Sequence, residues 1–169
     1  KAQGQDSTDN NTLVTSNTVT RLLTVTNALA DTVLAGNGKD TLSVSKSVYD
    51  SVDLAVTVRD QFNNLASNSG VRFTLVSGSG GFNDTSRTKT DTVVVSNAQG
   101  QASMRLYTST VAVTNVVKAK LISTGDDSVL FTVNTVPKAI SSLIMAVNSN
   151  WIAGVNQAVT VSAYDQFGN

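Results

Sequence analysis

Residues 54–64 read LAVTVRDQFNN and residues 159–169 read VTVSAYDQFGN, so the tripeptide Asp-Gln-Phe returns after 105 residues. Each copy follows an alternating run. In the first, Val52, Leu54, Val56 and Val58 fall on one side and Asp53, Ala55, Thr57 and Arg59 on the other, the two-residue period of a strand with one buried face. A strand that ends in Asp-Gln-Phe-x-Asn ends in a turn, because an Asp or Asn side chain accepts backbone N–H bonds there. The fourth place, Asn63 or Gly168, suits a residue that tolerates the left-handed conformation. Asp60, Phe62 and Asn64, and likewise Asp165, Phe167, Gly168 and Asn169, are therefore expected to be structural turn residues, with Phe62 and Phe167 pinning each turn to a core. The repeat is close to the roughly 100 residues of one two-sheet sandwich, so the chain is expected to carry copies of a single all-β unit.

Working outward, Val71, Phe73 and Leu75 alternate with Arg72, Thr74 and Val76, a second strand facing the same core. The run Ser77-Gly78-Ser79-Gly80-Gly81 reads as a flexible connection. Residues 92–96, and then Ala102, Met104 and Leu106, form two strands around Asn97-Ala98-Gln99-Gly100, whose composition predicts a hairpin tip. Val117, Ala119 and Leu121, then Val129, Phe131 and Val133, complete the unit, with Asp126 and Asp127 in the turn between. Pro137 cannot donate to a ladder and marks a junction, beyond which residues 140–147 and 158–164 read as the opening strands of another unit. Upstream, residues 22–27 (LLTVTN) resemble residues 130–134 (LFTVN), the last strand of the complete copy. The expected organisation is the tail of a preceding repeat or an N-terminal extension over 1–39, a complete sandwich over 40–137, and the first strands of a following repeat over 138–169.

Composition narrows the class of function. The 169 residues carry 12 Lys and Arg against 12 acidic residues, all Asp, for a net charge of zero, and 40% are hydrophobic. Phosphate backbones demand clustered cations, and the seven Lys and five Arg are scattered, which argues against nucleic acid. No apolar run approaches the roughly 20 residues that span a bilayer. Without His, Cys or Glu, the commonest general bases, thiol nucleophiles and metal ligands are missing, so no enzyme is expected. The absence of Cys also means that each domain stands on its apolar core rather than on disulfides. A chain that begins with Lys1 is expected to be a mature or excised piece of a longer exported protein.

The succession of a strand, Asp60-Gln61-Phe62-Asn63-Asn64, Val71-Arg72-Phe73-Thr74-Leu75, the Asn97-Ala98-Gln99-Gly100-Gln101-Ala102 segment and Arg105-Leu106-Tyr107-Thr108-Ser109 resembles the bacterial immunoglobulin-like repeats of invasin and intimin type. Such repeats also occur in large adhesins and surface-layer proteins. The resemblance covers residues 41–136 as one whole copy and 140–169 as the start of another. Asn63 stands where the family usually has Gly, and no Pro follows Asn64. The resemblance implies immunoglobulin-like β-sandwiches in tandem, outside the cell, projecting from a surface or assembling on it. It implies no active site, so no functional residue is carried over.

Other residues suggest sharper chemistry. Asp50, Asp53 and Asp60, and the pair Asp126 and Asp127, offer hard oxygen ligands for Ca²⁺ at domain ends, although neither group has the spacing of a dedicated calcium loop; solvated turn carboxylates are the plainer reading, and no other cofactor is expected. Trp151, the sole Trp, is expected to close one end of a core, with an interdomain contact or a sugar-stacking platform as alternatives. Three functions are open to such a chain. The first is a stalk or adhesin module whose partners are neighbouring repeats and a host or cell-surface ligand. The second is a self-assembling surface-layer or filament subunit whose partners are identical subunits, completed by strand exchange. The third is a carbohydrate-binding accessory domain resting on Trp151, Tyr107 and Tyr164.

Overall fold

A computed structural model describes residues 29–35, 41–123, 127–147 and 149–169. In chain order β1 (Ala30–Ala35), β2 (Thr41–Ser47), β3 (Ser51–Asp60), β4 (Gly70–Ser77) and β5 (Gly80–Phe82) lead into β6 (Asp91–Val95) and β7 (Gln101–Thr108). β8 (Thr114–Leu121) and β9 (Ser128–Val136) follow, and then β10 (Ser142–Val147) and β11 (Val159–Tyr164). No helix occurs among the described residues.

The first nine strands form two sheets, ordered β1-β3-β7-β5 and β2-β9-β8-β4-β6. Their inward residues supply the core: Leu54, Val56 and Val58 from β3 and Met104 and Leu106 from β7 meet Val71, Phe73, Val117, Leu121 and Phe131 of the other sheet. Each is essentially inaccessible to water. At about 1.5–3 kcal/mol per buried large apolar side chain, this alternation is what closes the sandwich. The fold is an immunoglobulin-like β-sandwich.

Three expectations change. Residues 30–35, assigned from sequence to the tail of a preceding unit, are the first strand of this sandwich. β1 pairs antiparallel with β3, Ala30, Val33 and Ala35 enter the core, and the Val33 N–H donates to Asp127 Oδ2 at 2.6 Å. The loop at 97–100 is not a hairpin tip, since β6 pairs with β4 in one sheet and β7 with β3 in the other. Its turn carries the chain from sheet to sheet. The glycine run is not a loose connection either: Gly80, Gly81 and Phe82 form the edge strand β5 on β7, and Phe82 is wholly buried. Gly is needed at 81 because a Cβ there would lie 2.4 Å from the Arg87 backbone. The resemblance of residues 22–27 to the last strand concerns residues outside those described.

β10 and β11 form a separate two-stranded sheet. Their ladder repeats that of β1 and β3: Leu143 faces Ala163 and Met145 faces Val161, as Val33 faces Val58 and Ala35 faces Val56. Its apolar residues are open to solvent, with Leu143 65% and Val161 58% exposed.

Candidate functional site

The two Asp-Gln-Phe turns have the same internal geometry. In the first, the N–H groups of Phe62 and Asn64 donate to Asp60 Oδ1 at 2.9 and 2.8 Å, and the Asn64 amide donates to Asp60 Oδ2. In the second, the N–H groups of Phe167 and Asn169 both donate to Asp165 Oδ1 at 2.9 Å, and the Asn169 amide again reaches the carboxylate. The fourth residue of each is left-handed, Asn63 at φ 68° and Gly168 at φ 83°. The 97–101 segment repeats the device with Asn97 Oδ1 accepting from Gln99 and Gln101 and with Gly100 at φ 67°. One Asx side chain thus satisfies two backbone donors where a strand breaks off.

The surroundings of the two turns differ. The 165–169 turn is docked on the pole of the sandwich: the Asn169 amide donates to the Thr110 carbonyl at 2.7 Å and the Ala112 N–H donates to Asn169 Oδ1 at 2.9 Å. The Lys138 N–H, just past Pro137, donates to Asp165 Oδ2 at 3.0 Å and ties in the linker. The Phe167 ring lies 5.5 Å from that of Tyr49. The Arg87 guanidinium sits over the Tyr49 ring at 3.8 Å, and the Lys138 ammonium lies about 6 Å from both Tyr49 and Phe167. The Tyr49 seat is itself knitted together, since its N–H donates to the Ser109 carbonyl and the Arg87 Nε–H to that of Thr108. In the 60–64 turn Phe62 is 69% exposed, which corrects its expected role as a core pin, and among the described residues Asn64 bonds only within the turn.

Burial acts to raise the Asp165 carboxyl pKa, but the N–H groups of Asn169, Lys138 and Phe167 and the Asn169 amide outweigh it and hold the pKa down to about 2. The turn is anionic wherever the joint is formed at ordinary pH.

The carboxylates considered for calcium are dispersed. Asp50 Oδ1 accepts from the Ser51 N–H, Asp60 closes its turn and Asp127 holds β1. Asp53 takes a two-pronged bond from Arg105 at 2.7 Å on each side, which keeps its pKa below the usual range. Asp126 lies outside the described residues. Among the described residues no three His, Cys, Asp or Glu side chains come together around a possible metal. Trp151 does not close a core: it is 62% exposed, in the connection between β10 and β11 beside exposed Ile152. Tyr107 is on β7 of the sandwich and Tyr164 ends β11.

Sequence reasoning missed Tyr49, Arg87, Thr110, Ala112 and Lys138. One signal for Tyr49 was available, because Gly154 occupies the matching place 105 residues later, and both are left-handed, at φ 54° and φ 80°.

No protein-family model and no curated protein sequence matches the chain. Solved structures do. The Escherichia coli adhesin FdeC is similar over 84% of this chain and 44% of its own, with 13% identity and a TM-score of 0.52. The likeness is one of fold. The Yersinia pseudotuberculosis adhesin InvE matches over 80% of this chain and 34% of its own, at 20% identity and a TM-score of 0.48. Domains 4 and 5 of the S-layer protein SbsC match over 64% and 53%, at 14% identity and a TM-score of 0.42. The chain thus spans about half or less of each. No helix among the described residues is long and apolar enough to cross a membrane.

Proposed function

We propose that the chain is an extracellular structural and adhesive module of a bacterial cell-surface protein, one stretch of a stalk made of sandwiches joined end to end. The observation that carries this reading is the docked 165–169 turn. The hydrogen bond from the Asn169 amide to the Thr110 carbonyl, the one that Asn169 Oδ1 accepts from the Ala112 N–H, the Phe167–Tyr49 contact and the tied linker at Lys138 hold a second strand pair against the pole of the first sandwich. A joint of that kind sets the angle between successive units, which is what reach and rigidity require. The chemistry of the site is that of packing and turn closure, and the reading is non-enzymatic. Its partners are neighbouring repeats and a surface ligand. The test is limited proteolysis of intact producing cells: a protease that cannot enter cells should remove the protein, and protection until lysis would overturn the reading.

A second reading, self-assembly into a surface layer or filament, is favoured by the hairpin, whose Leu143, Met145 and Val161 are open to solvent on a sheet of only two strands. Such small sheets are marginal in water, and their edges template pairing. Electron microscopy of purified protein separates the two, with uniform filaments or sheets supporting assembly and dispersed particles supporting the stalk.

A further inference from the structure

The chain contains two copies of one turn, one with its Phe seated on the sandwich pole and one with its Phe exposed. The seated copy presents three features to the sandwich pole: the Phe167 ring to Tyr49, Asn169 Nδ2 to a carbonyl and Asn169 Oδ1 to an N–H. The unseated copy presents the same groups in the same internal frame, fixed by the same Asp bonds. Among the described residues Phe62 has no ring partner and Asn64 Oδ1 accepts no bond. A large exposed aromatic ring standing beside a solvent-facing amide acceptor, on a turn closed by its own Asp bonds, matches one half of a contact that this chain displays complete 105 residues later.

We infer that the 60–64 turn is a docking plug for the pole of a preceding sandwich of the same build. Its socket would be an aromatic side chain on the turn after the second strand, as Tyr49 is here, with one backbone carbonyl and one backbone N–H in the loop that corresponds to Thr110 and Ala112. This rests on the reading of the chain as a stretch of tandem sandwiches, and it names the contact that joins them. In sequence, residues 22–27 (LLTVTN), similar to residues 130–134 of the last strand, precede β1. The plug is closed by its own Asp bonds at the end of β3, so a seat for it would fix how one unit meets the next.

The chain has no Cys, so introduced thiols are the only ones present. A copy of residues 29–136 inserted between Ala28 and Leu29 supplies a complete preceding sandwich while retaining the whole chain. Tyr49→Cys in the inserted copy and Phe62→Cys in the following one should then be joined by a short bis-maleimide. The yield should match that of Tyr49→Cys with Phe167→Cys in the original chain, and exceed at least fivefold that of a control pairing Tyr49→Cys with Val95→Cys. Cross-linking of the Phe167 pair with only control yield for the Phe62 pair overturns the plug while leaving the existing joint intact. Control yield for both pairs removes the joint itself and the plug with it. Cell-surface exposure is measured separately, by proteolysis of intact cells, so the failure of one reading is distinguishable from failure of the other.

Discussion

The β1–β3 ladder and the β10–β11 ladder are the same pairing placed in two environments. Val56 and Val58 of β3 are covered by the five-stranded sheet and are essentially inaccessible, whereas Val161 at the matching register is more than half exposed. Register is therefore a property of the strand pair, set by its own apolar pattern. Stability comes from the layer on the other side. The two turns at the ends of β3 and β11 teach the converse: their internal bonds are alike, yet Phe167 packs on the Tyr49 ring while Phe62 stands 69% exposed.

The widest gap between the two ladders should appear on truncating their apolar residues. Phe131→Ala in the sandwich is expected to cost about 3–5 kcal/mol, read as a fall in the denaturant midpoint, while Leu143→Ala in the hairpin should stay within about 0.5 kcal/mol. Equal losses would mean that the hairpin is covered as the sandwich is. The turns should separate next. Asp60→Ala leaves two backbone donors of the sandwich without their acceptor and should lower its stability by about 2 kcal/mol. Asp165→Ala should leave the sandwich melting temperature unchanged but speed tryptic cutting after Lys138, because the linker loses its tie.

Acid should act on the same joint. The folded pKa of Asp165, about 2, lies below its ordinary 3.8, so its contribution is fully present above about pH 4 and is lost as pH falls through 2. NMR contacts between the Tyr49 and Phe167 rings should weaken over that window, and persistence of those contacts at full strength to pH 1.5 would falsify the dependence. The smallest effect is expected from Asn63→Gly, which brings the first turn to the composition of the second. Relief of the left-handed cost should gain about 0.5 kcal/mol in an equilibrium melt, and a loss would show that the Asn63 side chain has a role of its own.

Much of the sandwich is legible in the sequence because β3, β7, β8 and β9 each bury every second residue over a long run. β1 is harder to place: Ala30-Asp31-Thr32-Val33-Leu34-Ala35 has small residues at core positions, and its membership rests on β3 and Asp127, both distant in sequence. β5 is hidden because Gly-Gly-Phe has the composition of a linker, although close approach to the Arg87 backbone is what demands the glycine. The closing role of Asp60 and Asp165 was readable from spacing, since an Asx turn is a local device. The seat of Phe167 was not, for its partners come from three other segments. Phe62 and Phe167 share the Asp-Gln-Phe-x-Asn frame and differ in what faces them.

β2 runs parallel to β9 over seven residue pairs, from Thr41 opposite Leu130 to Ser47 opposite Val136. Strands that run the same way have the upstream end of one and the downstream end of the other at opposite ends of their ladder. Tension passing along the chain between them would slide the two strands past one another and strain the bonds of that ladder together, instead of peeling them apart singly. A pull applied between the start of β2 and the end of β9 would thereby be met by that whole ladder as a unit.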